Sequence, residues 1–131
     1  MRNPVLVKNL RDTPARRAGD HTLLREVIHP DNDPVSLPFS LAHALLKPGE
    51  SSHPHRLSER DEVYIILRGE GRLYLDETKY TVVPGSVVLI PAGTVQWLAN
   101  EGDTDLELYC IVRPPWKKED EEVWADNTKG L

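Results

Sequence analysis

Two imidazoles, His53 and His55, stand one residue apart in the segment Gly49-Glu50-Ser51-Ser52-His53-Pro54-His55, and the acids Glu59, Asp61 and Glu62 follow within a few residues. Imidazole nitrogens and carboxylate oxygens are the donors that hold a divalent transition metal such as Fe, Mn, Ni or Zn. The same groups move protons when no metal is present. A second polar candidate, Gln96, lies in the downstream stretch from Gly85 to Asn100. Its carbonyl is a neutral, weaker donor. His43 is a third imidazole within reach of such a site if its strand turns that face inward. Ser51, Ser52 and Ser58 lie near histidines, yet no nucleophile elbow or orienting acid accompanies them. Cys110 sits in an apolar run with no neighbour in sequence that would stabilise a thiolate. No glycine-rich phosphate loop opens a helix anywhere in the chain.

The elements that must position these residues are short strands. Eleven prolines and eight glycines punctuate the 131 residues between brief apolar runs. Thr22 to His29 reads as a strand closed by the Pro30–Pro34 turn, and Phe39 to Leu46 as another closed by Pro48-Gly49. In the latter, alternation puts Leu41, His43 and Leu45 on one face without saying which face looks inward. Further strands follow over Glu62–Leu67, Arg72–Leu75, Tyr80–Val83, Val87–Ile90, Thr94–Ala99 and Leu106–Val112, each ended by Gly, Pro, Asn or Asp. No βαβ alternation appears, so the expected fold is an all-β antiparallel sandwich or barrel. Residues 1–20 read as an N-terminal arm able to add a strand to its own barrel or to a neighbour's, residues 21–115 as the barrel, and residues 116–131 as a short C-terminal helix and tail centred on the charged run Lys117–Glu122.

The balance of charge narrows the partners. A formal net charge of -5 disfavours nucleic acid and anionic membrane surfaces. No apolar run approaches the roughly 20 residues of a membrane span, and a lone cysteine suits a reducing compartment. A cytoplasmic location is the expectation.

The two segments together resemble the cupin superfamily of small jelly-roll barrels. The second family motif is met without gaps by Gly85, Pro91, Gly93, Gln96 and Asn100, with Gln96 standing where the family places a histidine. For the first motif two registers compete. Counting without gaps between Gly49 and Gly69 aligns His55, Leu57 and Glu62 with the family's two histidines and glutamate, so that Leu57 replaces one imidazole. Taking His53 and His55 as the histidine pair requires gaps and makes Glu59 a rival to Glu62. The ungapped register is preferred. One His, one Glu and one Gln make a poor metal site. Either His53 or His43 supplies a second imidazole, or this chain has exchanged the metal for a hydrogen-bonding pocket.

The resemblance implies a metal-dependent enzyme acting on a small molecule, with dioxygenase-, lyase- or phosphomannose isomerase-like chemistry at a mononuclear metal. The ion would be held by His55, Glu62 and Gln96 with His53 or His43. Leu57, Tyr64 and Trp97 are the further pocket candidates, although aromatics fill small barrels as readily as they meet ligands. The alternative is a non-enzymatic module that binds a sugar or organic acid in the same pocket. Relatives of this architecture also imply a homodimer.

Overall fold

The structure, a computed structural model, describes residues 2–124. Eleven strands form two antiparallel sheets among the described residues: β1 (Arg16–Arg17), β2 (Leu23–Ile28), β3 (Ser40–Leu46), β4 (His55–Leu57), β5 (Asp61–Arg68), β6 (Gly71–Leu75), β7 (Thr78–Val82), β8 (Val87–Ile90), β9 (Gln96–Ala99), β10 (Leu106–Arg113) and β11 (Glu121–Val123). A six-stranded sheet runs β1-β2-β3-β10-β5-β8 and a five-stranded sheet runs β11-β4-β9-β6-β7. No helix among the described residues is long and apolar enough to cross a membrane.

Alternation decides what each strand contributes to the interior. In β10, Leu106, Leu108, Cys110 and Val112 are buried, while Glu107, Tyr109 and Ile111 turn outward. At one end of the sandwich the two inner faces meet through large side chains, among them Leu46, Ile66, Leu73, Ile90, Leu98 and Leu106. At the other end β3 and β10 present Ser40, Ala42, Ala44 and Cys110, which are too small to fill the gap between the sheets. A cavity results. The chain crosses from one sheet to the other at Gly69, whose φ is +79°. A Cβ there would stand 2.3 Å from the Asp105 carbonyl oxygen, so both backbone conformation and space demand glycine.

Two terminal segments are placed in ways the sequence did not specify. The arm lies against its own barrel. Asn3 exchanges side-chain hydrogen bonds with the backbone of Ser36, Lys8 donates to the Val27 carbonyl at 2.7 Å, a 3-10 turn spans Leu10–Asp12, and β1 pairs with β2. The expected C-terminal helix is corrected to a single 3-10 turn, Lys118–Asp120, followed by β11. The cause is local. The Asp120 carboxylate accepts the Glu59 amide at 2.9 Å, and its carbonyl accepts the Ser58 amide at 3.0 Å. These bonds fasten the chain beside β4, where Glu121–Val123 complete the open edge instead of winding into a helix too short to hold itself. The remainder of the expected tail, residues 125–131, lies outside the described residues.

The outer face of the six-stranded sheet is apolar in registered rows. Leu41, Ile111, Val63 and Leu89 are cross-strand neighbours in one row, and His43, Tyr109, Ile65 and Val87 in the next. Val87 and Leu89 are 67% and 63% exposed.

Candidate functional site

The cavity has a volume of about 60 Å³ and is walled on one side by His55, Leu57 and Ser52, and on the other by Glu62, Tyr64 and Cys110. His55, Leu57 and Glu62 are all buried. β4 is only three residues long, but β11 on one side and the His55–Gln96 pairing to β9 on the other hold it in place. His55 and Leu57 point inward, and Arg56 between them points out to Glu122, 2.8 Å away. Glu62 and Tyr64 share the inner face of β5.

The polar groups form a directed chain. His55 Nδ1 donates to the His53 carbonyl at 2.8 Å, which fixes the ring and leaves Nε2 facing the cavity and Asp20 Oδ2 at 3.6 Å. Tyr64 donates its hydroxyl proton to Gln96 Oε1 at 2.5 Å, and Gln96 Nε2 donates to Glu62 Oε1 at 3.0 Å. The other Glu62 oxygen takes no hydrogen bond from the described residues.

Burial and neighbouring charge tune these groups. Burial pushes the Glu62 carboxyl up, His55 and the Gln96 hydrogen bond oppose it, and the outcome is a pKa of about 7. Burial also works against the His55 imidazolium, but the charges of Asp20 and Glu62 and the His53 carbonyl outweigh it, and the pKa is raised. Glu121 is raised by burial, against His55. The Cys110 thiol is pushed far up by burial and stays protonated. An imidazole of raised pKa and a carboxyl that titrates near neutrality, facing one cavity from its two sides, are an acid–base arrangement.

The other expected site residues lie elsewhere. His43 is on the outer face of β3, because alternation commits Ser40, Ala42, Ala44 and Leu46 to the interior. There its Nε2 meets Glu107 Oε1 at 3.0 Å, its ring stands edge-on to Tyr109, and Nδ1 has no hydrogen-bond partner. His53 lies just before β4; its ring packs 5.0 Å from that of His21, and it serves the site through its carbonyl. Trp97 alternates outward on β9 and stacks on Tyr74 at 3.7 Å, so it lines no part of the cavity. Glu59 is exposed. Among the wall residues that went unnoticed in the sequence are the acids Asp20, Glu26 and Glu121. Asp20 is held by a turn in which its Oδ1 accepts the Thr22 amide and hydroxyl at 3.1 and 2.8 Å. Glu121 is one of several acids in a charged run, and only pairing of β11 with β4 selects it to face inward.

The donor set does not fit the metal centre of the family motif. Leu57 offers no lone pair, the Gln96 oxygen is taken by Tyr64, and its nitrogen is a donor. His55 Nε2 and one Glu62 oxygen remain at the motif positions. No group of three or more His, Cys, Asp or Glu side chains is placed to hold a metal ion among the described residues.

Two antiparallel sheets closing over an internal cavity at one end define a jelly-roll barrel. The profile of the Cupin domain family matches residues 42–112, more than half of the chain, and the chain belongs to this family. An uncharacterized protein of Methanocaldococcus jannaschii is 34% identical over 104 residues, covering 79% of this chain and 82% of that protein. The oxalate-binding protein of Thermotoga maritima is 27% identical over 109 residues, covering 83% of this chain and 85% of the relative. Of the auxin-binding protein 1 of Arabidopsis thaliana the chain spans 40%. The polyketide cyclase RemF of Streptomyces resistomycificus superposes with a TM-score of 0.71 at 20% identity over 89% of each chain, a likeness of fold. Proteins named for binding and for an enzymatic activity thus both occur among the relatives of this chain and its neighbours in fold.

Proposed function

We propose that this chain is a cupin whose pocket binds a small molecule and moves a proton on it without a metal, with Glu62 and His55 as the acid–base pair. The observation that supports this reading most directly is the one cavity into which a Glu62 carboxyl held at about 7, from one sheet, and the Nε2 of a backbone-anchored His55, from the other, are both presented. Near neutral pH ionised Glu62 accepts a proton from a carbon beside a carbonyl, and His55 Nε2–H donates one to the carbonyl oxygen. On a substrate with a hydroxyl on that neighbouring carbon, Glu62 returns its proton to the former carbonyl carbon while His55 takes the hydroxyl proton, which gives the isomeric carbonyl and restores both groups. Tyr64 and Gln96 orient the Glu62 carboxylate. The metal-dependent reading is set aside on the donor set, and Gln96 becomes a positioning residue.

The test is proton exchange in D2O over a panel of small aldehydes, ketones and hydroxy compounds, followed by NMR. The expected result is wash-in of deuterium at a carbon next to a carbonyl, reduced at least about 100-fold by Glu62→Gln and by His55→Asn. Ligands that bind and exchange no proton would make the pocket a binding module.

The outer face of the six-stranded sheet supports a homodimer as part of the same reading. Its two rows, apolar but for the buried His43, continue across four strands, a surface suited to packing against its own copy about a two-fold axis. Replacing Val63 and Leu89 by Lys is expected to halve the mass seen by light scattering and leave the thermal transition of the barrel in place. An unchanged dimer would move the interface elsewhere, and a monomeric parent would remove it.

A further inference from the structure

Charge on the cavity wall narrows the ligand that this pocket, read as the binding site, accepts. Four carboxylates face it: Asp20 from the turn before β2, Glu26 from β2, Glu62 from β5 and Glu121 from β11. The cations are His55 from β4 and the exposed Arg16 of β1 at the mouth. β3, β9 and β10 bring no charged group to the cavity. Arg16 and Glu121 attract each other, and Glu26 is engaged at the rim by Asn32. Asp20, Glu62 and Glu121 all act on one imidazolium, His55, and Asp20 and Glu62 flank it in the interior. Asp20 Oδ2 stands 3.6 Å from His55 Nε2, and Glu62, nine-tenths buried, has an oxygen with no donor. Around them the wall is apolar, with Leu57, Leu98, Leu108 and Val112.

We propose that the pocket takes a primary ammonium compound on a short apolar frame, the ammonium seated between Asp20 and the free oxygen of Glu62. An ammonium supplies the donors these oxygens lack and balances the surplus negative charge. A carboxylate ligand doubles that surplus in a site of low dielectric. The organic-acid alternative is thereby disfavoured for this chain.

Isobutylamine, isobutanol and isobutyrate share a frame and differ in charge, and their binding at pH 7.5 is measured by saturation-transfer NMR on the full chain. Isobutylamine is expected to bind at least tenfold tighter than isobutanol, with isobutyrate weakest. Asp20→Asn and Glu62→Gln, both of which keep the shape of the side chain, are each expected to reduce amine affinity at least fivefold and to leave isobutanol unchanged. Binding of isobutyrate equal to or tighter than the amine overturns the proposal, and so does absence of amine binding. If amines are rejected while deuterium exchange on other ligands persists, the charge inference fails alone. If amines bind and no ligand exchanges a proton, the acid–base reading fails and the ligand class stands.

Discussion

A double variant, Leu57→His with Gln96→His, is expected to take up one equivalent of Zn, Ni or Co where the parent takes up none. Leu57 faces the cavity beside His55, and Gln96 is the cross-strand partner of His55 that reaches Glu62. Imidazoles at both positions complete a set of three histidines and one carboxylate on a rigid sheet. Two added ligands are worth at least about 3 kcal/mol, or roughly a 100-fold gain in affinity. Equilibrium dialysis followed by elemental analysis reads the stoichiometry. Tight, stoichiometric metal in the parent that is lost with His55→Ala would contradict the reading of the donor set. The variant also removes the Tyr64–Gln96–Glu62 chain, so its proton-exchange activity is expected to fall even as metal binding appears.

The second large effect concerns stability. Glu62 holds its proton to about pH 7 in the folded state and loses it near 4.5 when unfolded. Below pH 4.5 both states are protonated and the group costs nothing. As pH rises from 4.5 through 7 the unfolded state ionises first, so stability falls, and above 7 the full penalty of about 3 kcal/mol is present. His55, whose folded pKa is also raised, acts in the same direction, its contribution being present below about 6.5 and lost as pH rises through its folded value. Glu62→Gln keeps an acceptor for the Gln96 amide and removes the charge. It is expected to stabilise the protein by about 2–3 kcal/mol at pH 8.5 and by little at pH 4.5, as measured by urea denaturation at the two pH values. A penalty carried at a cavity wall is characteristic of a group kept for its chemistry.

The strands were legible because proline and glycine bracket nearly every one, from Pro48-Gly49 after β3 to Pro91-Ala92-Gly93 before β9. The ungapped spacing from Gly49 to Gly69 identifies the residues that the structure brings together, His55, Leu57 and Glu62. What alternation left open was direction: a period of two places Leu41, His43 and Leu45 on one face without choosing between cavity and exterior. The choice is made by the partner strand, where Leu108 and Cys110 point inward, and His43 is carried outside to Glu107 and Tyr109. Trp97 is turned away by the same rule on β9. Asp20 and Glu121 were hidden for another reason. Each belongs to a terminal segment whose local sequence is that of a solvated turn or charged run, and only docking onto β2 and β4 brings the carboxylate to the cavity.

The proposed acid–base chemistry rests on one buried carboxyl, that of Glu62. The most direct test is the pH titration of Glu62 in the metal-free protein, followed by carbon-13 NMR of its side-chain carboxyl with assignment by Glu62→Gln. A midpoint near 7, with the His55 ring titrating above its usual range, is the predicted result. A midpoint near 4.5 would show Glu62 to be an ordinary carboxylate and would contradict its role as the acid–base group of the pocket.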